Sequence, residues 1–317
     1  MKRIVILLCI FLTMIYALAG CTEDNSSNNA GPRGNSDKLS VVATIFAPYD
    51  FAREIAGDKA DITMLLPPAA ESHSFEPTAQ DIIKVQGCDL FIYVGGESDA
   101  WVGKILDSMD TSAMKIITLM DCVELVEEEL AEGMEDDGGE DDAYDEHVWT
   151  SPRNAVLIVQ KISDALCDID GANADFYGQN AAAYIEKLNG LDAAFRKIVD
   201  GAARKTLVFG DRFPFRYFAD AYGLDYFAAF PGCSTETEPS AKTVAFLIDK
   251  IKEEQIPVVF HIELSNQKMA NAISEATGAK VLLLHACHNI SRDDFLSGVG
   301  YLDLMTRNAE ALKEALW

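Results

Sequence analysis

Basic residues are scarce in this 317-residue chain: 26 Lys and Arg stand against 51 Asp and Glu, for a formal net charge of −25. A surface this acidic repels nucleic acid and anionic lipid headgroups and attracts cations, so no nucleic-acid partner is expected. Histidine is rarer, with five residues and no poly-His tract. No CxxC pair occurs, which argues against a cysteine-built structural zinc site. After the apolar run at the start, no stretch is long and apolar enough to span a bilayer. Nothing resembles a nucleophile elbow, a phosphate-binding loop or a paired-carboxylate hydrolase site, so no catalytic residue is assigned.

The first residues speak to the compartment. Met1-Lys2-Arg3 is a short basic stretch, and residues 4–16 form an uncharged apolar run of signal-peptide length. Leu18-Ala19-Gly20-Cys21 then looks like a bacterial lipobox, whose Cys becomes the lipid-bearing N-terminus. A plain signal peptide with an incidental Cys21 is the alternative. The polar, Asn- and Ser-rich segment behind it has the composition of a flexible tether. The expected division is a signal peptide over 1–20 and a lipid-anchored tether over 21–38, holding the chain outside the cytoplasm on the bacterial cell membrane. Removing residues 1–20 takes away Lys2 and Arg3 and no acid, which puts the mature chain near −27.

From residue 39 onward short β-branched runs alternate with helical spacings. Strands are expected at 40–46, 62–66, 90–94 and 115–119, and again at 206–209, 226–230, 258–262 and 280–284. Between the two sets, Tyr177, Ala181, Tyr184, Leu188, Leu191, Phe195 and Ile198 recur in steps of three and four, the mark of one long amphipathic helix. The fold class is therefore α/β: two Rossmann-like lobes with parallel sheets, 39–174 and 204–317, joined by a linking helix over 175–203. Residues 127–146 are almost all Glu, Asp and Gly, and read as a mobile, solvated acidic loop. Residues 293–316 read as mostly helical.

The few histidines sit where ligands collect in such folds, on loops at strand ends and helix entries. His73 follows Pro67-Pro68, His147 precedes the helix opened by Ser151-Pro152, and His288 lies just past the strand at 280–284. Neutral imidazole is the commonest nitrogen ligand for zinc. His261, at the end of an apolar strand, reads as structural.

Several segments resemble the zinc/manganese solute-binding proteins of ABC importers. They are Ala43-Thr-Ile-Phe46-Ala-Pro48-Tyr49, Ser72-His73-Ser-Phe75-Glu76-Pro77-Thr78, Glu146-His147-Val148-Trp149-Thr-Ser-Pro152 and Tyr217-Phe-Ala-Asp-Ala-Tyr222-Gly223. The resemblance implies that His73 and His147 ligate the metal from the first lobe, and that an ABC-transporter membrane permease receives it. The second lobe departs from the pattern. Arg212 stands where the family places a His or Glu, and a guanidinium cannot ligate a cation. Its neighbour Asp211 could serve instead, or could merely brace the loop. The family's last ligand falls on His288, with His285 as the competing register. A set of His73, His147 and His288, with Asp211 or water in the fourth position, is rich in nitrogen and favours zinc over manganese. Cys233 and Cys287 both follow expected strands, so a disulfide between them is plausible, with a thiolate ligand as the lesser alternative. A secreted zinc metalloenzyme and a metal-binding surface adhesin are the rival functions.

Cys21→Ala is expected to leave unprocessed precursor, or to release the protein from the membrane. Continued processing and anchoring of that variant, followed by fractionation and mass spectrometry, would refute the lipobox reading.

Overall fold

The structure is a computed structural model and describes residues 38–71, 75–134, 144–232, 234 and 239–317. Cys21, His73 and Cys233 lie outside the described residues. Two four-stranded parallel sheets form the frame. The first is built from β1 (Leu39–Ala43), β2 (Ala60–Met64), β3 (Leu90–Tyr93) and β4 (Lys115–Thr118), in the order β2-β1-β3-β4. The second is built from β5 (Thr206–Phe213), β6 (Asp225–Pro231), β7 (Val258–His261) and β8 (Lys280–Leu283), in the order β6-β5-β7-β8. The strand order reverses between β1 and β3 in one sheet and between β5 and β7 in the other. In parallel α/β sheets that reversal opens a crevice at the carboxyl ends of the strands, where ligands bind.

Each sheet is covered on both faces, as parallel sheets require. In the first, Val41, Ala43, Leu90 and Ile92 face one core while Val42 and Phe91 face a second, smaller one with Leu65, Val85 and Val102. In the second sheet Leu207, Phe209, Val258 and Phe260 share the large core, and Val208, Ala229 and Val259 face another. Ten helices supply the cover. These are α1 (Phe46–Ala56), α2 (Ala79–Gln86), α3 (Ala100–Leu106), α4 (Pro152–Ile169), α5 (Ala174–Asp200), α6 (Arg216–Tyr222), α7 (Ala241–Glu254), α8 (Lys268–Thr277), α9 (Arg292–Leu296) and α10 (Tyr301–Leu316). Local chemistry sets several of their ends. Thr78 caps α2 in a reciprocal capping box with Asp81, and Pro152 opens α4 at its first turn. None of the described helices is long and apolar enough to cross a membrane.

The linking helix α5 buries Tyr177, Ala181, Tyr184, Leu188, Leu191, Phe195 and Val199 in the large core, which is continuous through both lobes. At the end of the stripe Val199 is buried and the expected Ile198 packs partly buried against the same core. The expected helix over 293–316 is two helices, broken around Gly298, whose φ of +74° suits glycine.

The acidic loop differs from expectation at its described ends. Glu127 pairs with Tyr144 in an antiparallel bridge, and the Asp145 N–H donates to the Val126 carbonyl at 3.0 Å. On the second lobe Tyr226 donates to Glu129 at 3.3 Å, Arg216 lies 3.5 Å from the same carboxylate, and Lys250 lies 3.8 Å from Glu132. Composition marked this segment as unable to pack an apolar face, yet its described part packs Ala131 and Met134 against the large core and also meets cations and a phenol from distant parts of the chain.

Asp99 ties the switch point of the first sheet together. Its buried carboxylate accepts from the Val94 and Gly95 N–H groups at 2.7 and 3.3 Å and from the Thr44 hydroxyl at 3.5 Å. Burial pushes its pKa up to about 6, against the lowering effect of the backbone donors and with help from Glu146. A carboxyl raised in the folded state binds protons that the unfolded chain has already released, so stability falls as pH rises from about 4 through 6. Asp99→Asn is expected to flatten that slope in denaturant titrations of the metal-free protein. An unchanged slope would assign the pH dependence to other groups.

Candidate metal site

The arrangement around His147 starts with Asp145. One oxygen of that buried carboxylate accepts both the His147 backbone N–H at 2.8 Å and ring Nδ1 at 3.1 Å. A carboxylate partner holds the proton on Nδ1 and leaves the Nε2 lone pair for a metal, the usual second layer of a histidine ligand. Burial alone would push the imidazole pKa down, but the charge and hydrogen bond of Asp145 outweigh it and the net shift is upward. The Thr150 hydroxyl donates to the His147 carbonyl at 2.8 Å, and Val148 and Trp149 are fully buried behind it. From the second lobe, Gly232 closes on the ring. A Cβ there would meet His147 Cε1 and the Phe213 carbonyl, each at 2.9 Å. Only glycine lets the end of β6 come this near.

His288 arrives from the loop after β8. Its ring stands edge-on to His147, with centroids 4.6 Å apart at 88°, and 4.7 Å from Trp149. Glu263, just beyond β7, holds the loop: its two oxygens accept the Ala286 N–H at 2.7 Å and the His288 N–H at 3.0 Å. The first lobe grips the same loop. The Phe46 N–H donates to the His288 carbonyl at 2.9 Å, and Trp149 Nε1 donates to the Ala286 carbonyl at 2.7 Å. The Asn289 amide donates to the Pro67 and Ala70 carbonyls at 2.8 and 2.7 Å. Those two carbonyls belong to the segment that leads to His73. On the far side of His73, Phe75 packs against Trp101 at 5.9 Å.

The two histidines of the competing registers lie in different surroundings. His285 faces away from His147 and lines a separate cavity with His261. Its backbone N–H and carbonyl are both bonded to the Asn308 amide, at 2.7 and 2.8 Å. Asp211 does not join the two rings either. Its oxygens accept the Arg212 N–H at 2.9 Å and the Ile262 N–H at 3.4 Å, which makes it a brace between β5 and the end of β7. Arg212 reaches across to Glu71 at 3.3 Å and donates to the Ser234 carbonyl at 3.2 Å. Among the described residues no three His, Cys, Asp or Glu side chains converge on one point. Cys287 is a free, fully buried thiol in this structure, and burial pushes its pKa well up.

The surroundings are acidic. A cavity the size of a single water molecule lies between Thr44, Asp99, Glu146, Trp149 and His288. Glu146 is buried and accepts from the Ser98 hydroxyl at 2.8 Å. Two imidazoles beside two buried carboxylates favour a cation over an anion or a neutral ligand. Asp145, Glu263 and Gly232 were missed at the level of sequence. Asp145 was detectable, two residues before a candidate ligand, whereas Glu263 and Gly232 act only through folded proximity.

The profile of the family described as zinc-uptake complex component A, periplasmic (ZnuA), matches residues 41–315. The zinc-binding lipoprotein AdcA of Streptococcus pneumoniae serotype 4 is 32% identical over 317 residues, which cover 99% of this chain and 61% of that protein. This chain thus spans about three-fifths of that relative's length. The high-affinity zinc uptake system protein ZnuA of Bacillus subtilis is 33% identical over 302 residues, covering 94% of this chain and 93% of the relative. Among solved structures, the Zn(II)-bound ZnuA-like domain of Streptococcus pneumoniae AdcA superposes with a TM-score of 0.74 at 33% identity, over 88% of this chain and 99% of that domain. With its two parallel-sheet lobes, its long shared helix and a profile match over most of its length, the chain belongs to the ZnuA family of zinc-uptake components.

Proposed function

We propose that this protein is an extracytoplasmic receptor that captures zinc between its lobes and delivers it to the membrane permease of an ABC-type importer. In this reading Cys21 carries a lipid that keeps the receptor at the membrane. The observation that carries the reading is the edge-on pair His147 and His288, brought together from opposite lobes, with Asp145 orienting the His147 lone pair. His73 would complete a three-imidazole set, since both described flanks of its loop are fastened beside the pair. Water would take the fourth position, because Asp211 is committed to backbone donors. Three neutral nitrogens suit zinc better than manganese, which prefers oxygen. The zinc-binding names of the relatives point the same way.

Each step of capture and delivery has a physical basis in the chain. The strongly acidic surface raises the local concentration of cations. Binding brings a ligand from each lobe onto one ion, so the occupied and empty receptors differ at the lobe interface, which is what a permease can read. Release requires only that one imidazole withdraw from the ion.

His147→Ala and His288→Ala are each expected to weaken zinc binding by at least about 10-fold, or ~1.4 kcal/mol, in competition with a chelating dye. His285→Ala and Asp211→Asn should stay close to wild type. Loss of zinc in His285→Ala with retention in His288→Ala would reject the assignment, and wild-type affinity in both His147→Ala and His288→Ala would reject the site. For transport, deleting the gene should abolish growth on limiting zinc, with rescue by excess zinc. Unimpaired growth there would argue for an adhesive role instead.

A further inference from the structure

A second, larger cavity, of about 290 Å3, opens at the carboxyl end of the second sheet, and zinc capture makes no use of it. His261 ends β7 in register with Leu283 of β8, and His285 lies two residues further on. The two histidines are deeply buried, at 9% and 6% exposure, yet both line the cavity.

Their tautomers are set by opposite partners. His261 Nδ1 lies 2.8 Å from the Ile262 carbonyl, which can only accept, so Nδ1 carries the proton and Nε2 offers a lone pair. His285 Nδ1 receives the Cys287 N–H at 3.0 Å, so its proton is on Nε2. Nε2 is therefore an acceptor on one of these cavity-lining rings and a donor on the other. An ion pair at the rim repeats this pairing of opposites, with Arg307 3.3 Å from Asp294. Leu264 and Leu283 form apolar walls although each is about two-fifths exposed, at 43% and 41%. The loop carrying Leu264 is strained. Leu264 and Gln267 hold φ of +60° and +58°, a region that costs non-glycine residues on the order of 1–3 kcal/mol each and clusters at ligand clamps.

These features discriminate among ligand classes. A metal ion fits poorly, because the Nδ1 lone pair of His285 is spent on Cys287. A simple anion would face Asp294 and Glu263, and a simple cation would face Arg307. We propose that the cavity binds a small zwitterion of the α-amino-acid class. Its carboxylate would meet Arg307 and His285 Nε2–H, its ammonium would meet Asp294 and His261 Nε2, and its side chain would lie between Leu264 and Leu283. Charge-assisted bonds of this kind are the strong ones, and the volume is at the lower end of the roughly 300–1,000 Å3 range of small-molecule sites.

The test is calorimetric titration of the zinc-loaded protein with each of the common L-amino acids. At least one should bind. The amide of the tightest binder and its deaminated acid, each lacking one charge, should bind at least about 10-fold more weakly. His261→Phe and Arg307→Gln should weaken the amino acid to the same extent while leaving zinc affinity unchanged. Arg307 is more than half exposed, so its variant decides the question if His261→Phe does not fold. No binding at about 10 mM overturns the proposal, as does undiminished binding in Arg307→Gln or to either analogue. Binding that vanishes on removing zinc and ignores both variants would be chelation of the captured metal, and would overturn it equally.

Discussion

The loop over residues 286–290 is gripped from both lobes, and the site depends on that double hold. Glu263 of the second lobe takes two of its backbone N–H groups, and hydrogen bonds to a charged acceptor contribute about 1.5–3 kcal/mol each. The first lobe takes its carbonyls through Phe46 and Trp149, and the Asn289 amide fastens the segment that leads to His73. Cys287 sits in the middle at φ +59°, a conformation that a cysteine holds only when its surroundings insist on it. The result is a backbone scaffold that places His288 against His147.

The same economy of motion is built into the core. One hydrophobic cluster runs along the buried stripe of α5 from the first sheet to the second. Domains joined only by a strand or loop can swing widely. Here separation of the lobes would expose a continuous packed interior, at about 25 cal/mol for each Å2 of apolar surface. Small shifts of loops at the strand ends are the cheaper response to gaining or losing an ion. The described ends of the acidic segment add to this, because Glu129 and Glu132 reach basic residues of the second lobe while Asp145, just past the Glu127–Tyr144 bridge, orients His147.

Charge works on two scales. The net −25 draws cations from a distance. Close to the site, Asp99 and Glu146 are buried beside the imidazoles. Arg212 is the exception, a cation at the edge of the cleft, and Glu71 neutralises it across the lobes.

Much of this was legible in the order of residues. Alternating β-branched and helical runs announced two parallel sheets, because period-two and period-3.6 patterns reflect burial that any packing of those segments must satisfy. The steps of three and four from Tyr177 to Phe195 announced the long helix for the same reason, and Pro152 and Thr78 marked helix starts through local chemistry. His147 was legible through its neighbours in sequence. What only the tertiary structure decided concerns groups far apart in the chain. His288 rather than His285 faces His147, because Asn308 turns one and Glu263 positions the other. Asp211 braces a strand rather than meeting the rings, and the described ends of the acidic segment contact the second lobe and the core. Local sequence records propensity and periodicity, which act over a few residues; which side chains meet across 20 to 200 residues is set by packing, and no local pattern encodes it.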